Sequence, residues 1–387
     1  MIKPADRTNL VQEYYFSRKL KEIEQMNRNG DNILNLGIGN PDMSPSSETL
    51  KTLVDAVNIP INHGYQSYKG IPELRKAFAE WYNRFYNIQL NFDTEILPLM
   101  GSKEGIMHIS MAFLNKGDKV LVPNPGYPTY SAVSKIVGAE IINYDLLPEN
   151  NWYPDFDALE NKDLSNVKIM WVNYPNMPTG QYASADIYKK LITFGKKHNI
   201  LICNDNPYSF ILNENPLSIL SIDGAKDIAI ELNSLSKSHN MAGFRVGMVA
   251  GNAEYISYIL KIKSNMDSGM YKPVQLAASK ALESSWDWYN SINSEYKKRR
   301  ETVWQLFDAL NAKYDRNQTG MFVWARITDS FSDSFEFSDK VLYESKVFIT
   351  PGGIFGSNGN RYVRISLCSS QQTLKEAIDR VSVNTMS

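Results

Sequence analysis

The sequence predicts an α/β protein with a large domain, built on a mainly parallel, helix-covered sheet, and a smaller α+β domain. Between about residues 95 and 250, short apolar segments of strand length alternate with segments of helical period. This alternation is typical of a parallel sheet with helices on both faces. A long helical stretch at about 273–313 then precedes strand-like segments at 321–327 and 362–367. These later segments predict a second, smaller sheet.

The length of the chain supports two domains. A chain of 387 residues, 43% of them hydrophobic, can bury more than one core. We predict an N-terminal segment at 1–45 that contributes to the small domain, a large ligand-binding domain at 46–275 and a small C-terminal domain at 276–387.

Charge and composition exclude several classes of function. Lys plus Arg number 41 and Asp plus Glu number 42, so no basic surplus favours a nucleic acid or a membrane surface. No apolar run has the length of a signal peptide or of a membrane span, so we expect a soluble cytoplasmic protein.

Cys203 and Cys368 lie in apolar runs, which predicts buried free thiols. The four histidines lack metal-ligand spacing, and we expect no metal site.

The first elements lead to two loops of interest. Helical patterns at 10–29 and 46–58 flank a predicted strand at 33–39. That strand ends at Gly39, where the backbone can approach a ligand closely. Pro72 suits the first turn of a further helix, and the loop before it carries Tyr65. Taken alone, these loops are also compatible with plain turns.

Two predicted strands are each followed by residues of types that bind ligands. A strand predicted at 95–100 is followed at once by Gly101, Ser102 and Lys103 at the start of a helix. A helix N-terminus of this kind attracts anions. The next strand, at 119–122, ends in a proline-rich loop that carries Tyr127, a ring on which a flat ligand can stack.

The central strands are the most apolar. Segments 167–172 and 200–203 are nearly continuous apolar runs, which indicates burial on both faces of the sheet. The second ends just before Asp205 and Tyr208. Because ligands bind at the carboxyl ends of strands in open α/β sheets, we expect these side chains at a site. A turn-forming aspartate is the alternative.

The segment 234–247 carries the strongest signal. It follows a predicted strand and contains Ser234, Lys237 and Arg245 in the frame Ser-x-Ser-Lys-x7-Arg-x-Gly. A lysine amine that attacks a carbonyl forms a Schiff base, and pyridoxal phosphate is the cofactor that most often uses one. Ser234 and Arg245 would then hold the phosphate. A solvated turn with ordinary surface charges remains open from this segment alone.

Taken together, these segments resemble the fold-type I pyridoxal-phosphate aminotransferases of class I/II. The resemblance covers about residues 34–366, with the motifs in family order. The motifs are Gly-Asn-Pro-Asp, Tyr-x4-Gly-Ile-Pro-Glu-Leu-Arg, Gly-Ser-Lys, Pro-Gly-Tyr, Pro-Thr-Gly, Asp-x2-Tyr, the lysine frame and Arg-Ile-Ser. The resemblance implies ping-pong transfer of an amino group from an L-amino acid to a 2-oxo acid through pyridoxal 5'-phosphate.

The resemblance also implies catalytic roles. Lys237 is similar to the lysine that bonds the cofactor and then carries a proton. Asp205 is similar to the carboxylate that keeps the pyridine nitrogen protonated. Tyr208 is similar to the donor to the ring 3-oxygen.

Further cofactor contacts follow by position. Tyr127 resembles the stacking aromatic, and Tyr65 resembles the tyrosine that reaches the phosphate of the neighbouring subunit, which implies a homodimer. The phosphate holders implied are Ser102, Lys103 through its backbone N–H, Ser234 and Arg245.

Arg364 resembles the arginine that binds the substrate α-carboxylate. A guanidinium suits this role because it makes two parallel hydrogen bonds to a carboxylate. Gly39 would add a backbone contact. The sequence departs from the family pattern at Met177, where an asparagine normally precedes Pro-Thr-Gly. Asn173 and Asn176 are both available as replacements.

Two other functions remain compatible with the sequence. A β-carbon–sulfur lyase on the same scaffold begins with the same proton removal. A non-catalytic ligand-binding regulator is a third reading, although the chain starts close to the fold and we expect no DNA-binding head. No Gly-x-Gly-x-x-Gly turn follows a strand, which disfavours a nicotinamide-dependent dehydrogenase. Loops near Tyr15, Ile38 and Tyr68, with the neighbouring subunit, are expected to contact the substrate side chain, whose identity stays open.

Overall fold

A computed structural model of the chain describes residues 2–11, 13 and 15–385. The helices are α1 (Tyr15–Arg28), α2 (Ser47–Val57), α3 (Pro72–Tyr86), α4 (Ser102–Phe113), α5 (Pro128–Ile136), α6 (Phe156–Glu160), α7 (Ala185–His198), α8 (Leu235–Ser238), α9 (Ala253–Lys263), α10 (Lys272–Leu282), α11 (Trp286–Ala309), α12 (Ser334–Ser345) and α13 (Gln371–Thr385). The strands are β1 (Leu34–Asn35), β2 (Ile96–Leu99), β3 (Lys119–Asn124), β4 (Glu140–Asp145), β5 (Val167–Val172), β6 (Leu201–Asp205), β7 (Ala229–Ser234), β8 (Gly247–Gly251), β9 (Lys313–Tyr314), β10 (Phe322–Arg326), β11 (Val347–Phe348), β12 (Thr350–Pro351) and β13 (Tyr362–Ser366).

The central sheet has seven strands in the order β2-β8-β7-β6-β5-β3-β4. Five neighbouring strands, from β7 to β4, run parallel, and only β8 runs against its two neighbours. Every residue of β6 and β7 is buried, because helices cover both faces of the sheet. The prediction of a mainly parallel, helix-covered sheet is therefore confirmed.

The strand directions bring the predicted site residues to one edge of this sheet. Strands β2, β6 and β7 point the same way, because β8 opposes both β2 and β7. Their carboxyl ends carry Gly101, Asp205 and Ser234 in turn. A parallel sheet places such residues side by side, although they are far apart in sequence.

A second sheet has four antiparallel strands in the order β12-β13-β10-β9. Arg364 lies in the middle of it, opposite Trp324 on β10 and Thr350 on β12. The short β1 pairs in parallel with β11 and so ties the N-terminal segment to the C-terminal part of the chain. These pairings agree with an N-terminal segment that joins the small domain, but the boundaries at 45 and 275 remain a prediction.

Several predicted elements differ in length from those observed. The predicted strand at 33–39 is a strand only at Leu34–Asn35, because the Asn35 side chain accepts a hydrogen bond from the Gly37 N–H at 3.0 Å and turns the chain. The helical stretch at 273–313 is two helices. Ser285 separates them, and its hydroxyl caps α11 by accepting from the Asp287 N–H at 3.2 Å.

Two predictions about composition can be checked against the structure. Cys203 and Cys368 are both buried free thiols, as expected. Within the described part of the chain, no helix has the length and apolar character needed to cross a membrane.

Candidate functional site

A cavity of about 530 Å³ lies where the carboxyl ends of the large sheet meet the small sheet. It brings together nearly all the predicted site residues. These are Gly39, Ser102, Lys103, Tyr127, Asp205, Tyr208, Ser234, Lys237, Arg245 and Arg364. Larger surface clefts of about 1030 and 1060 Å³ contain none of them. Tyr65 lies outside the cavity and is 92% exposed.

Lys237 lies on α8, the single helical turn that follows β7. Its Nζ donates a hydrogen bond to the carbonyl oxygen of Gly39. Burial lowers the pKa of Lys237, and the charges of Arg364 and Arg245 act in the same direction. A lowered pKa increases the fraction of uncharged amine, the form that attacks a carbonyl and accepts a proton.

Asp205 ends β6 and is buried. Its Oδ2 accepts a hydrogen bond from the Tyr130 hydroxyl at 2.9 Å. Its Oδ1 is buried and has no hydrogen-bond partner among the residues that the structure describes. Burial raises the pKa of Asp205 to about 6, although the Tyr130 hydrogen bond opposes that rise. A cationic N–H donor from a ligand ring fits this oxygen, which is what a protonated pyridine offers.

An anion cradle lies beside Lys237. Helix α4 begins after Gly101, which has a φ of +87°, and a Cβ there would lie 2.2 Å from Nη2 of Arg245. Glycine therefore allows the guanidinium to lie against the helix N-terminus. The Ser234 hydroxyl donates to the Ser236 hydroxyl at 2.9 Å, and Arg245 Nη1 is 3.5 Å from the Ser236 oxygen. Hydroxyls, a guanidinium and helix N–H groups form a donor set suited to a phosphate.

Arg364 is 4% exposed and lies between aromatic rings. Its guanidinium carbon is 3.9 Å from the ring centre of Phe322 and 4.7 Å from that of Phe355. Its Nη2 donates to the Gly37 carbonyl at 2.9 Å, and its Nη1 is 3.1 Å from the sulfur of Met177. The rings hold the guanidinium plane in one orientation, which suits the bidentate binding of a carboxylate.

Two further tyrosines line the same cavity as Lys237 and Asp205. Tyr127 immediately precedes α5 and packs edge-on against Tyr130 at 5.5 Å. Tyr208 packs edge-on against Phe322 at 5.8 Å. Burial raises the pKa of Tyr208, so its hydroxyl stays a hydrogen-bond donor at neutral pH.

The structure distinguishes the two asparagines near Met177. Asn173 lines the cavity, and its amide nitrogen donates to the backbone oxygen of Asp205. The Asn176 side chain accepts from the Thr179 hydroxyl at 2.7 Å and donates to the Asn173 carbonyl at 3.1 Å. Of the two, Asn173 is therefore the one that faces the ligand space, but its role toward a ligand remains a prediction.

Sequence reasoning missed several residues that line the site. Tyr130 is three residues after Tyr127, one turn into α5, so the helical period was the signal that could have found it. Ser236 was part of the quoted frame but was given no role. Packing alone brings in the others, which are Phe16, Ser17, Leu20, Phe322 and Phe355.

A cluster of Glu104, His108 and Asp267 lies outside the cavity, with ligand atoms within 4.8 Å of one another. The buried ammonium of Lys263 lies 2.8 Å from Asp267 and supplies positive charge to this cluster. Asp267 therefore already has a cationic partner within the chain.

Comparisons with known proteins agree across the chain. The family model for aminotransferase class I and II matches residues 31–381. The chain is 39% identical over 383 residues to a protein from Dehalococcoides mccartyi named LL-diaminopimelate aminotransferase, and the match covers 98% of each. It is 40% identical over 381 residues to a protein of the same name from Oleidesulfovibrio alaskensis, again with 98% of each covered.

Solved structures give the same result. Apo-BacF from Bacillus subtilis superposes with a TM-score of 0.95 at 36% identity, covering 99% of this chain and 98% of that one. An aminotransferase from Staphylococcus aureus superposes with a TM-score of 0.89 at 29% identity, covering 98% of both chains. Aspartate aminotransferase from Thermus thermophilus with maleate, at 23% identity, shares the fold with a TM-score of 0.91, covering 99% of this chain and 100% of that one.

Proposed function

The chain belongs to the class I and II aminotransferases, and from that membership we propose how its own residues perform amino transfer. It is a pyridoxal-phosphate-dependent enzyme that moves an amino group from an L-amino acid to a 2-oxo acid. The single observation that carries our proposal is the cavity that joins Lys237, Asp205 and Arg364. The proteins above whose names state an activity are aminotransferases, which supports amino transfer over the β-lyase alternative.

When bound, pyridoxal phosphate supplies an aldehyde that bonds the substrate nitrogen and a ring that accepts electrons when the Cα proton leaves. Lys237 Nζ takes that proton from Cα, because its lowered pKa leaves part of the amine uncharged. Asp205 Oδ1, which is buried without a partner among the described residues, would accept the hydrogen bond of the protonated ring nitrogen. The Tyr130 hydroxyl fixes the other carboxylate oxygen and so orients Asp205.

The remaining residues bind and orient. Arg245, Ser234 and the N–H groups of Ser102 and Lys103 would hold the phosphate in the cradle beside Gly101. The ring of Tyr127 would stack on the cofactor, the Tyr208 hydroxyl would donate to its 3-oxygen, and the Gly39 backbone would contact the substrate. Each of these roles is part of the proposal.

Arg364 is proposed to bind the substrate α-carboxylate. We expect Arg364→Lys to raise the KM for every amino donor by about 10²-fold, because a lysine cannot make the paired hydrogen bonds of a guanidinium. The measurement is steady-state kinetics with several donors. Arg326→Lys, which changes a half-exposed arginine on β10 bound to Asp329, is the matched control and should leave KM unchanged. An unchanged KM in the Arg364 variant would remove this residue from the proposed site.

The substrates named by the relatives provide one candidate. Relatives that are 36% to 40% identical carry the name LL-diaminopimelate aminotransferase, so LL-diaminopimelate is a candidate amino donor. The acceptor would be a 2-oxo acid that binds in the same cavity, since a ping-pong enzyme uses one site for both halves of the reaction.

We propose that the enzyme acts as a homodimer whose second copy covers the loop around Tyr65. Exposed apolar side chains cluster there, including Ile59 at 48% and Ile61 at 81% exposure. A patch of this kind favours a partner surface. The exposed position of Tyr65, outside its own cavity, supports a contact with the phosphate in the partner's site.

Mixed dimers test this arrangement. Tyr65→Ala should weaken cofactor affinity by about 10-fold to 100-fold, because one hydrogen bond to a charged group is lost. Co-refolding this variant with Lys237→Ala should create one intact site per mixed dimer and restore activity at low cofactor concentration. Each variant refolded alone is the control. No gain on mixing would show that Tyr65 acts within its own chain, and a mass of 44.0 kDa in sedimentation equilibrium would exclude the dimer.

We also propose a cytoplasmic location. Two buried free thiols, Cys203 and Cys368, support a reducing compartment. Recovery of the protein in a membrane or extracellular fraction would contradict this.

A further inference from the structure

We propose that Arg299 is a positioning residue for amino transfer, which acts through its ion pair with Asp42. This ion pair holds the Gly39 carbonyl against the Lys237 amine. Asp42 ends the sequence motif Gly-Asn-Pro-Asp that begins at Gly39, and the reaction described above gives it no role. The inference rests on the functions proposed above for Lys237 and Arg364, and it adds two residues that do not line the cavity.

The loop at 39–45 contains no helix or strand. Within the described part of the chain, its backbone makes no hydrogen bond to another backbone group. Side chains therefore determine where this loop lies. Asp42 binds Arg299. Further along, the Ser44 carbonyl accepts a hydrogen bond from Asn240 Nδ2 at 3.2 Å.

The contact between Asp42 and Arg299 is the strongest of these. Arg299 Nη1 lies 2.6 Å from Oδ1 of Asp42, and Nη2 lies 3.1 Å from Oδ2, so two parallel hydrogen bonds bind the carboxylate. Arg299 is buried, and its Nε donates to Glu295 at 3.0 Å, which fixes the guanidinium on α11. Separating the pair would leave a buried charge without one of its partners, which is costly.

The small sheet restrains the same loop at a second point. A Cβ at Gly39 would lie 2.3 Å from Cζ of Phe322 on β10, so the backbone passes directly against this ring. Asp42 follows three residues later and is held by its ion pair. The Gly39 carbonyl is thereby kept in place as the acceptor for Lys237 Nζ, the hydrogen bond that the structure contains.

The Arg299 guanidinium also contacts the end of the strand that carries Arg364. Its Nη1 donates to the carbonyl of Leu367 at 3.0 Å, three residues after Arg364. One guanidinium therefore fixes the loop of the lysine's acceptor relative to the residue proposed to bind the substrate carboxylate. A misplacement of about 1 Å between reacting groups can lower a rate by about 10²-fold.

Helix α11 contacts the lysine segment as well. Trp288, in the first turn of this helix, donates from Nε1 to the Ser238 carbonyl at 2.9 Å. Ser238 directly follows Lys237. The helix that carries Arg299 is thus connected to both partners of the hydrogen bond between Lys237 and Gly39.

Asp42→Asn tests the loop while it keeps the contact between Arg299 and Leu367. We expect kcat of the holoenzyme to fall by about tenfold to 100-fold and KM for the amino donor to stay within about threefold, because Arg364 is not displaced. Arg299→Lys should lower kcat to a similar extent. It should also raise KM by about threefold to tenfold, since a lysine lacks the planar fork that binds Asp42 and the Leu367 carbonyl together. Steady-state kinetics measure both parameters.

A second readout needs neither the cofactor nor turnover. The cofactor-free protein is labelled with a trace of acetic anhydride at one mildly alkaline pH, and acetylation of Lys237 is measured by peptide mass spectrometry. Losing the hydrogen bond to a fixed carbonyl should raise the labelling rate of Lys237 in Asp42→Asn by about threefold to tenfold. A pair that only stabilised the fold would leave this rate unchanged.

Asp93→Asn is the matched control. Asp93 pairs with Arg75, which is also buried and also donates to a backbone carbonyl, that of Phe92 at 3.1 Å. None of these three residues lines the cavity. Urea unfolding should show losses of stability of similar size for the two variants, whereas kcat and the labelling of Lys237 should change only in Asp42→Asn.

The inference is overturned when either kcat or the labelling rate of Asp42→Asn equals that of the wild type. It is also overturned when Asp93→Asn loses as much of its kcat. A Lys237→Ala enzyme that keeps its activity would instead overturn the proposed proton carrier. The labelling of the cofactor-free protein would in that case still report whether the ion pair fixes the loop.

Discussion

Replacing Lys237 with alanine is expected to lower kcat for amino transfer by at least about 10⁴-fold, because the group that moves the Cα proton is removed. The structure gives the reason. The amine lies half-buried in the cavity, in contact with the Gly39 carbonyl, and desolvation there lowers its pKa. Stopped-flow absorbance of the cofactor-loaded protein with an amino donor measures the change.

The control is a second lysine in the same cavity. Lys103→Ala should cost at most about tenfold, because the proposed phosphate contact uses the backbone N–H of Lys103 and its exposed side chain contributes little. Borohydride treatment of the loaded wild type followed by peptide mapping should label Lys237. A Lys237→Ala variant that still transfers amino groups at more than about a hundredth of the wild-type rate would contradict the proposed proton carrier.

Replacing Asp205 with asparagine is expected to lower kcat by about 10³-fold, because an amide oxygen cannot hold a cationic ring nitrogen as a carboxylate does. Tyr130→Phe, which removes only the hydroxyl bonded to Oδ2, should cost about tenfold to 100-fold. Tyr144→Phe is the matched control. Its buried hydroxyl donates to the backbone oxygen of Trp171 at 2.7 Å, away from Asp205, so catalysis should be unaffected.

Titration of the Asp205 carboxyl group should also change the free energy of unfolding with pH. The pKa of Asp205 is raised from 3.8 to about 6 in the folded, cofactor-free protein. The folded state therefore binds this proton more tightly than the unfolded chain, and the free energy of unfolding should fall as pH rises from about 4 to about 6. The loss from this group is about 3 kcal/mol. Urea unfolding of the cofactor-free wild type and Asp205→Asn across this range measures it, and identical pH profiles would contradict the raised pKa.

The sequence was most informative for functional residues that lie at the carboxyl end of a predicted strand. Gly101, Asp205 and Ser234 could be placed at one edge because the apolar runs before them indicate parallel strands, and parallel strands share their carboxyl edge. Arg364 was assigned through the resemblance to a family, since nothing in its own strand distinguishes it from a surface arginine. The family resemblance likewise assigned Tyr65 to the phosphate of the neighbouring subunit, and that assignment stays a prediction.

Other parts of the site depend on packing that no local pattern encodes. Met177 and Arg364 are separated by 187 residues, and their contact exists only because two sheets meet. The Tyr130–Asp205 hydrogen bond joins residues separated by 75 positions across neighbouring elements. Ser285 divides the helical stretch at 273–313 through a side-chain cap, and helical period alone does not reveal such a break.

The pairing of β1 with β11 has a consequence for how the molecule is made. Leu34 and Asn35 pair with Val347 and Phe348, and the Gly37 carbonyl accepts from Thr350, 313 residues later. A chain still on the ribosome has no partner for its own N-terminal strand until nearly all of it has been translated. Entropy opposes such distant closure, so it comes late in folding. The substrate arginine and the carbonyl that orients it therefore meet only in the finished polypeptide.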